Sequence, residues 1–375
     1  MRQNPLRHLF GLIALVTATT AAAYELPARL DDGWPVADAA ALGWDTARLD
    51  RLSTNLTEES HAGITSVLIA QRGQLIYEAY ANGGSRDQLN DMRSATKTVT
   101  ALLVGAAADR GRLAGAQAKV YPWFRDKVRA RGLDPRKVAM TLEDLLSMSS
   151  AWECDDENAF SSGNEERMYV SEDWTAFALN LPIRGYAPWQ KRPSESPYGR
   201  AFSYCTAGSF LLGAVVERAT GQPLAQFAHD ALEQPLGIGQ VQWNRSSEGV
   251  GMGGGGTRYR TRDVAKLGEL LRDAGRWQGR SVISSGWIAA MLTPRAVPRE
   301  NTEYGYQTWR FRFPVRGHDE WVWAMSGNGG NYVFVAPQFD LVAVITSTSY
   351  NTRTAHPRSQ ALFGDAVLGA MPAPR

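Results

Sequence analysis

Ser94-Ala95-Thr96-Lys97 places a hydroxyl and an amine three residues apart. On a helix that spacing puts both side chains on one face. A serine hydroxyl is a poor nucleophile until a base takes its proton, and a lysine of lowered pKa is such a base. The pattern alone is common, and its bland reading is a surface lysine. Two features sharpen it. The chain has six lysines (97, 119, 127, 137, 191 and 266), and only Lys97 has a serine three positions before it. The residues that follow, Val99, Leu102, Leu103, Ala106 and Ala107, are apolar around most of a helix surface, which predicts burial. Asp91 is the predicted cap of this helix, bringing Ser94 near free N–H groups, and Gly111 its end.

Two later segments have the chemistry to join the pair. Tyr204-Cys205-Thr206 opens another buried-looking helix, and a tyrosine beside a lysine can relay a proton, since the positive charge favours phenolate. Ser326-Gly327-Asn328-Gly329-Gly330-Asn331 leads into a strand. Glycines there let a substrate lie against a strand edge, where a backbone N–H faces a developing oxyanion. Taken singly, these are a helix-anchoring tyrosine and a glycine-rich turn. Histidines (8, 61, 229, 318 and 356) are scattered, no G-x-S-x-G occurs and metal-ligand spacing is absent, which disfavours a Ser-His-Asp hydrolase of the α/β type.

Positioning these segments calls for a large body, and 375 residues with 44% hydrophobic content supply one. An amphipathic helix is expected over 45–56. A β-hairpin follows, 64–70 with 74–80. Residues of about 112–240 read as helix and loop. Thr141 caps a helix with Asp144 as its capping-box partner, Ser171 caps another that carries Trp174 and Phe177, and 206–219 closes at Gly221. Helices from Thr261 and Ser284 precede strands over 304–313, 320–326, 332–336 and 341–348, and a helix over 359–371 completes the chain. Hairpin, helices, then strands describe an α+β body of mainly antiparallel sheet with a helical insertion.

Residues 1–23 read as a signal peptide: Arg2 and Arg7, an apolar run from Leu9 to Val16, and Ala21-Ala22-Ala23 before the cleavage point. The run is short for the alternative, a membrane anchor. Its removal lowers Lys plus Arg from 40 to 38, equal to the 38 acids, so nothing points to nucleic acid. A periplasmic or secreted protein, without stable membrane insertion, is expected over 24–375. Cys154 and Cys205 then read as a disulfide, two buried thiols being the alternative. Glu153 to Glu166 is a loop dense in acids, by default a solvated one, with a substrate-facing role as the alternative for Asp155 and Glu165.

In order and spacing, Ser94/Lys97, Tyr204 and the glycine-rich third element resemble the serine β-lactamase and penicillin-recognising family. Its motifs are S-x-x-K, Y-x-N and K-T-G or a variant. The likeness is to the branch of class C enzymes, D,D-peptidases, esterases and 6-aminohexanoate-dimer hydrolases. It includes Leu145 to Ser150, Arg262 to Ala265 and Tyr304-Gly305-Tyr306, and extends over nearly all of the chain after residue 23. The resemblance implies a β-lactamase-like sheet flanked by helices, with the site against an all-helical region. Ser94 would be acylated, with Lys97 as base and Tyr204 as relay to the leaving group. The oxyanion hole would be the N–H groups of Ser94 and Asn331, lined by Asn328, Gly329 and Gly330. It also implies that both cysteines border the cleft. Thr206 replaces the motif asparagine and Asn328 a cation that binds a substrate carboxylate. Both changes favour a small ester or amide, without cofactor or metal, over an antibiotic. The alternatives are a D,D-peptidase or class C-like β-lactamase, or a non-catalytic binding protein, against which all three site residues argue.

Overall fold

The computed structural model describes residues 24–128 and 133–373; the signal-peptide reading falls on residues outside these. An eight-stranded sheet forms the body. We number its strands β1 (Ile64–Gln71), β2 (Gln74–Tyr80), β3 (Ala296–Arg299), β4 (Thr302–Tyr304), β5 (Trp309–Val315), β6 (His318–Gly327), β7 (Asn331–Ala336) and β8 (Leu341–Ser347). The spatial order is β2-β1-β8-β7-β6-β5-β4-β3, and each neighbouring pair is antiparallel.

Both faces of the sheet are covered, which is why its central strands are apolar without alternation. Leu68, Val333, Val335, Val342 and Val344 face one core. Val67, Ile69, Tyr332, Phe334 and Ala343 face the other, as the two-residue period of a strand requires. The second core is closed by α1 (Thr46–Asn55), whose Leu49 and Leu52 are buried, and by the C-terminal helix. The first is closed by α2 (Thr96–Asp109), α5 (Thr206–Thr220) and α6 (Thr261–Arg272). Gly268 lets α6 approach the sheet, for a Cβ there would stand 2.6 Å from Val333 and 2.8 Å from Val342. Between them lie α3 (Leu142–Leu146) and α4 (Trp174–Asn180), in a stretch that contributes no strand to the sheet among the described residues. No described helix is long and apolar enough to cross a membrane.

The capping box of Thr141 and Asp144 forms as expected. Three local expectations need correction. Asp91 does not cap α2; its carboxylate accepts the Arg93 N–H at 2.9 Å, at the start of a single 3₁₀ turn, Arg93–Ala95, that precedes the helix. Asp173, not Ser171, caps α4. The strand expected over 304–313 is two strands, broken because Gln307 turns with φ +49° into the protein interior. There its side chain donates to Leu145 O (2.7 Å) and accepts from Ser209 Oγ (2.8 Å), while its carbonyl accepts from Thr98 Oγ1 (2.6 Å). One residue thus keys the sheet to α2, α3 and α5. The final helix, α7 (Ala355–Leu362), begins earlier than expected and widens into a π-helical stretch, Phe363–Leu368.

Candidate active site

Ser94 sits in the 3₁₀ turn before α2, and Lys97 points back toward it from the first turn of the helix. Lys97 Nζ is 3.0 Å from Ser94 Oγ and donates to Gly254 O at 2.6 Å. The lysine is 1% exposed. Burial holds its pKa below the usual lysine value, against the opposing pull of Glu165 and Asp156. A buried amine of lowered pKa has the lone pair that a serine proton needs. The residue before the nucleophile is itself unusual. Arg93 has φ +48°, a left-handed conformation costly for a side chain with a Cβ, stored beside the reacting atom.

Tyr204 enters from the other side of Ser94, just before α5. Its ring centroid lies 4.9 Å from Lys97 Nζ. Burial drives its phenol far above the ordinary value, opposed by its hydrogen bond with Ser94 and reinforced by Asp156 and Glu165. The expectation that Lys97 favours phenolate is therefore corrected. Loss of water and the nearby acids disfavour the phenolate, which suits Tyr204 to donate a proton.

The third element closes the cleft. Gly327, the last residue of β6, lies against the turn that carries Ser94. A Cβ there would fall 2.1 Å from Met92 O, so only glycine allows the strand this close. Asn328 lines the cavity with Ser94. Its side chain bonds Asn351, donating to Oδ1 at 2.9 Å and accepting from the backbone N–H at 2.8 Å. Asn331 does not reach the cavity. It is fully buried, and its amide donates to Asn328 O (2.9 Å) and Ser347 O (3.0 Å). Gly329 and Gly330 form the turn, against Tyr350 and against Ala355 with Ser359.

The cavity has a volume of about 300 Å³. Glu165 lines it as the sequence allowed. Asp155 does not: its carboxylate accepts the Glu157 N–H at 3.0 Å within its own loop. Its neighbour Asp156 does, placed by three links to the Tyr204 segment. Cys154 and Cys205 form a disulfide with Cα atoms 5.4 Å apart. Asp156 N–H donates to Tyr204 O at 2.9 Å, and Thr206 N–H donates to Asp156 Oδ2 at 2.6 Å. Oδ1 of Asp156 and Oγ1 of Thr206 are buried without a partner. Nothing in the run Asp155-Asp156-Glu157 tells that Asp156 and Glu157 line the cavity and Asp155 does not; the backbone register against Tyr204 decides it. Gly254 and Trp309 were likewise missed. The run of four glycines was the available signal for the first, since a Cβ at Gly254 would fall 2.8 Å from Thr206 Cγ2.

These distances bring a hydroxyl, a buried amine and a buried phenol together around one cavity. The sequence profile of the beta-lactamase family matches residues 49–364. The chain belongs to the beta-lactamase family. As a member it is a serine hydrolase. It is 24% identical over 350 residues to a 6-aminohexanoate-dimer hydrolase of Paenarthrobacter ureafaciens, covering 88% of this chain and 86% of that one. Over 214 residues, 54% of this chain and 51% of the other, it is 30% identical to esterase EstB of Burkholderia gladioli. The fold is shared with a penicillin-binding protein homologue from Caulobacter crescentus, with a TM-score of 0.64 at 18% identity over 86% of this chain and 97% of that one.

Asp156 gives this beta-lactamase-family site a pH signature. Burial, chiefly, pushes its carboxyl up to about 6 from 3.8, with Glu165 adding to the shift and Lys97 and Thr206 opposing it. A raised folded-state pKa means stability present in full below about pH 3.8 and lost as pH rises through about 6. At neutral pH the shift corresponds to about 3 kcal/mol held against folding. Asp156→Asn is expected to raise Tm at pH 7.5, an advantage that disappears below about pH 4. It also removes a charge that raises Lys97, so the acid limb of the kcat/KM profile moves to lower pH. Thermal melts and pH–rate profiles of the two proteins check both signs; an unmoved limb would separate Asp156 from the base.

Proposed function

We propose that the chain is an exported serine hydrolase that cleaves a small ester or amide through an acyl-enzyme on Ser94. The observation that carries this reading is the 3.0 Å contact between Ser94 Oγ and the buried Lys97 amine. Lys97 takes the serine proton as Oγ attacks the substrate carbonyl. Tyr204 gives its proton to the leaving amine or alcohol, and the protonated Lys97 amine, which holds the serine proton, returns a proton to the phenolate beside it. Water then repeats the sequence on the acyl-enzyme. Backbone N–H groups of Ser94 and Asn328 stabilise the oxyanion. Asn328 takes the part first given to Asn331, because it is Asn328 that lines the cavity. Glu165 and Asp156 offer acceptors to an amine or amide N–H of the substrate, as a 6-aminohexanoate-dimer hydrolase relative would lead one to look for. Export rests on the pattern of residues 1–23 and on the Cys154–Cys205 disulfide, which an oxidising compartment preserves.

The test combines labelling with a substrate panel. A fluorophosphonate probe is expected to modify the mature protein once, on the peptide containing Ser94. Short-chain p-nitrophenyl esters or a linear amide dimer are expected to turn over faster than a cephalosporin. The Asn328 amide, tied to Asn351, offers no charge to a carboxylate at the third element. Labelling elsewhere, or a cephalosporin as best substrate, would reject the respective half of the reading.

A further inference from the structure

The cavity that holds Ser94 carries both signs of charge. Asp156 and Glu165 line it from the helical side, Arg299 and His356 from the sheet side. Arg299 ends β3, the outermost strand, and reaches the cavity through tertiary structure alone. Nearby arginines are engaged: Arg295 lies 3.4 Å from Glu143 and Arg310 2.6 Å from Glu303. Arg299 has no carboxylate partner among the described residues, and its guanidinium carbon stands 5.7 Å from the centroid of the Trp309 ring, itself part of the cavity wall.

His356, on α7, stands beside it. Its Nδ1 lies 2.7 Å from Tyr332 OH, which also accepts from Gln360 Nε2 at 2.9 Å. Burial, and secondarily the Arg299 charge, keep the ring's pKa below the ordinary histidine value. A cation without a carboxylate partner among the described residues and an imidazole therefore share one wall.

We infer that Arg299 and His356 form an anion subsite, and that the preferred substrate is a small ester or amide bearing a carboxylate. This deepens the reading of Ser94 as nucleophile and rests on it. A guanidinium takes a carboxylate by two parallel N–H···O bonds, with a geometry an amide side chain cannot reproduce. This cation stands on β3, apart from the third element, where Asn328 still offers none.

The experiment compares two series of p-nitrophenyl esters. One is the half-esters of succinate, glutarate and adipate; the other carries a terminal carboxamide in place of each carboxylate. The unmodified protein is expected to favour the anionic member at the best chain length. Arg299→Gln should lower kcat/KM for that ester by roughly tenfold to a hundredfold relative to its carboxamide twin, mostly through KM, with Arg299→Lys recovering part. Equal or better turnover of the carboxamides at every length would overturn the subsite. So would an equal loss in both series. If neither series is cleaved and Ser94 is not labelled, the nucleophile reading fails by itself. Calorimetric titration of Ser94→Ala with glutarate then decides the subsite. Binding that Arg299→Gln abolishes supports it, and absence of binding rejects it.

Discussion

Ser94→Ala is expected to lose ester or amide turnover by on the order of 10⁴- to 10⁶-fold while keeping its fold. Removal of a covalent nucleophile leaves only binding and oxyanion stabilisation, and single deletions of such groups cost this much elsewhere. The structural cost is small, because Ser94 lies in a 3₁₀ turn held by its neighbours. Those contacts are the Arg93 N–H on Asp91 and the close approach of Gly327 to Met92 O. Burst kinetics with a p-nitrophenyl ester supply the measurement, since up to one equivalent of p-nitrophenol per site precedes steady turnover where deacylation is the slower step and the acyl-enzyme accumulates. The burst should vanish with Ser94. A folded Ser94→Ala protein turning over at near-normal rate would overturn the mechanism.

Lys97→Ala and Tyr204→Phe are each expected to cost most of the activity, and the double variant should be little slower than the worse single one. Both are placed beside Ser94: the amine lies 3.0 Å from its Oγ, and the Tyr204 ring centroid lies 4.9 Å from the same amine. With either lost, the proton circuit is open, and losing the second removes little more. The pH dependence separates their parts. Because burial lowers Lys97, the acid limb of kcat/KM is expected to report its loss of a proton below the usual lysine range. Tyr204→Phe should keep that limb and lose rate across the whole profile. Fully additive losses in log rate would mean that one residue only positions the other.

The site is legible in the sequence where function depends on neighbours along one element. Ser94 and Lys97 lie within one turn, so their contact follows from helical spacing. The same locality made the β1–β2 hairpin and the Thr141–Asp144 capping box readable. Asp91 and Ser171 misled because a good capping residue lay within reach of the helix start, while the backbone began its turn elsewhere. The order of Ser94, Tyr204 and the glycine-rich turn signalled a shared site, but not the protonation state of Tyr204, which depends on how much water the surrounding helices exclude.

What only the tertiary structure decided involves residues far apart in the chain. Gly254 O on Lys97 is 157 positions away, and its partner helices had to pack before four glycines made sense. Asp156 faces the cavity and Asp155 does not, because the Cys154–Cys205 disulfide, across a separation of 51, and the pairing of Asp156 with Tyr204 set the register of the loop. Asn331 yields its place at the cavity to Asn328 because the turn at Gly329 and Gly330 folds it under β8. Arg299 enters from an edge strand that its sequence, Ala-Val-Pro-Arg, scarcely announces. Short-range spacing selects among a few backbone forms and can be read directly. Burial, charge and register arise from contacts whose partners the sequence does not name, and those contacts set the acids, the cation and the proton donor of this site.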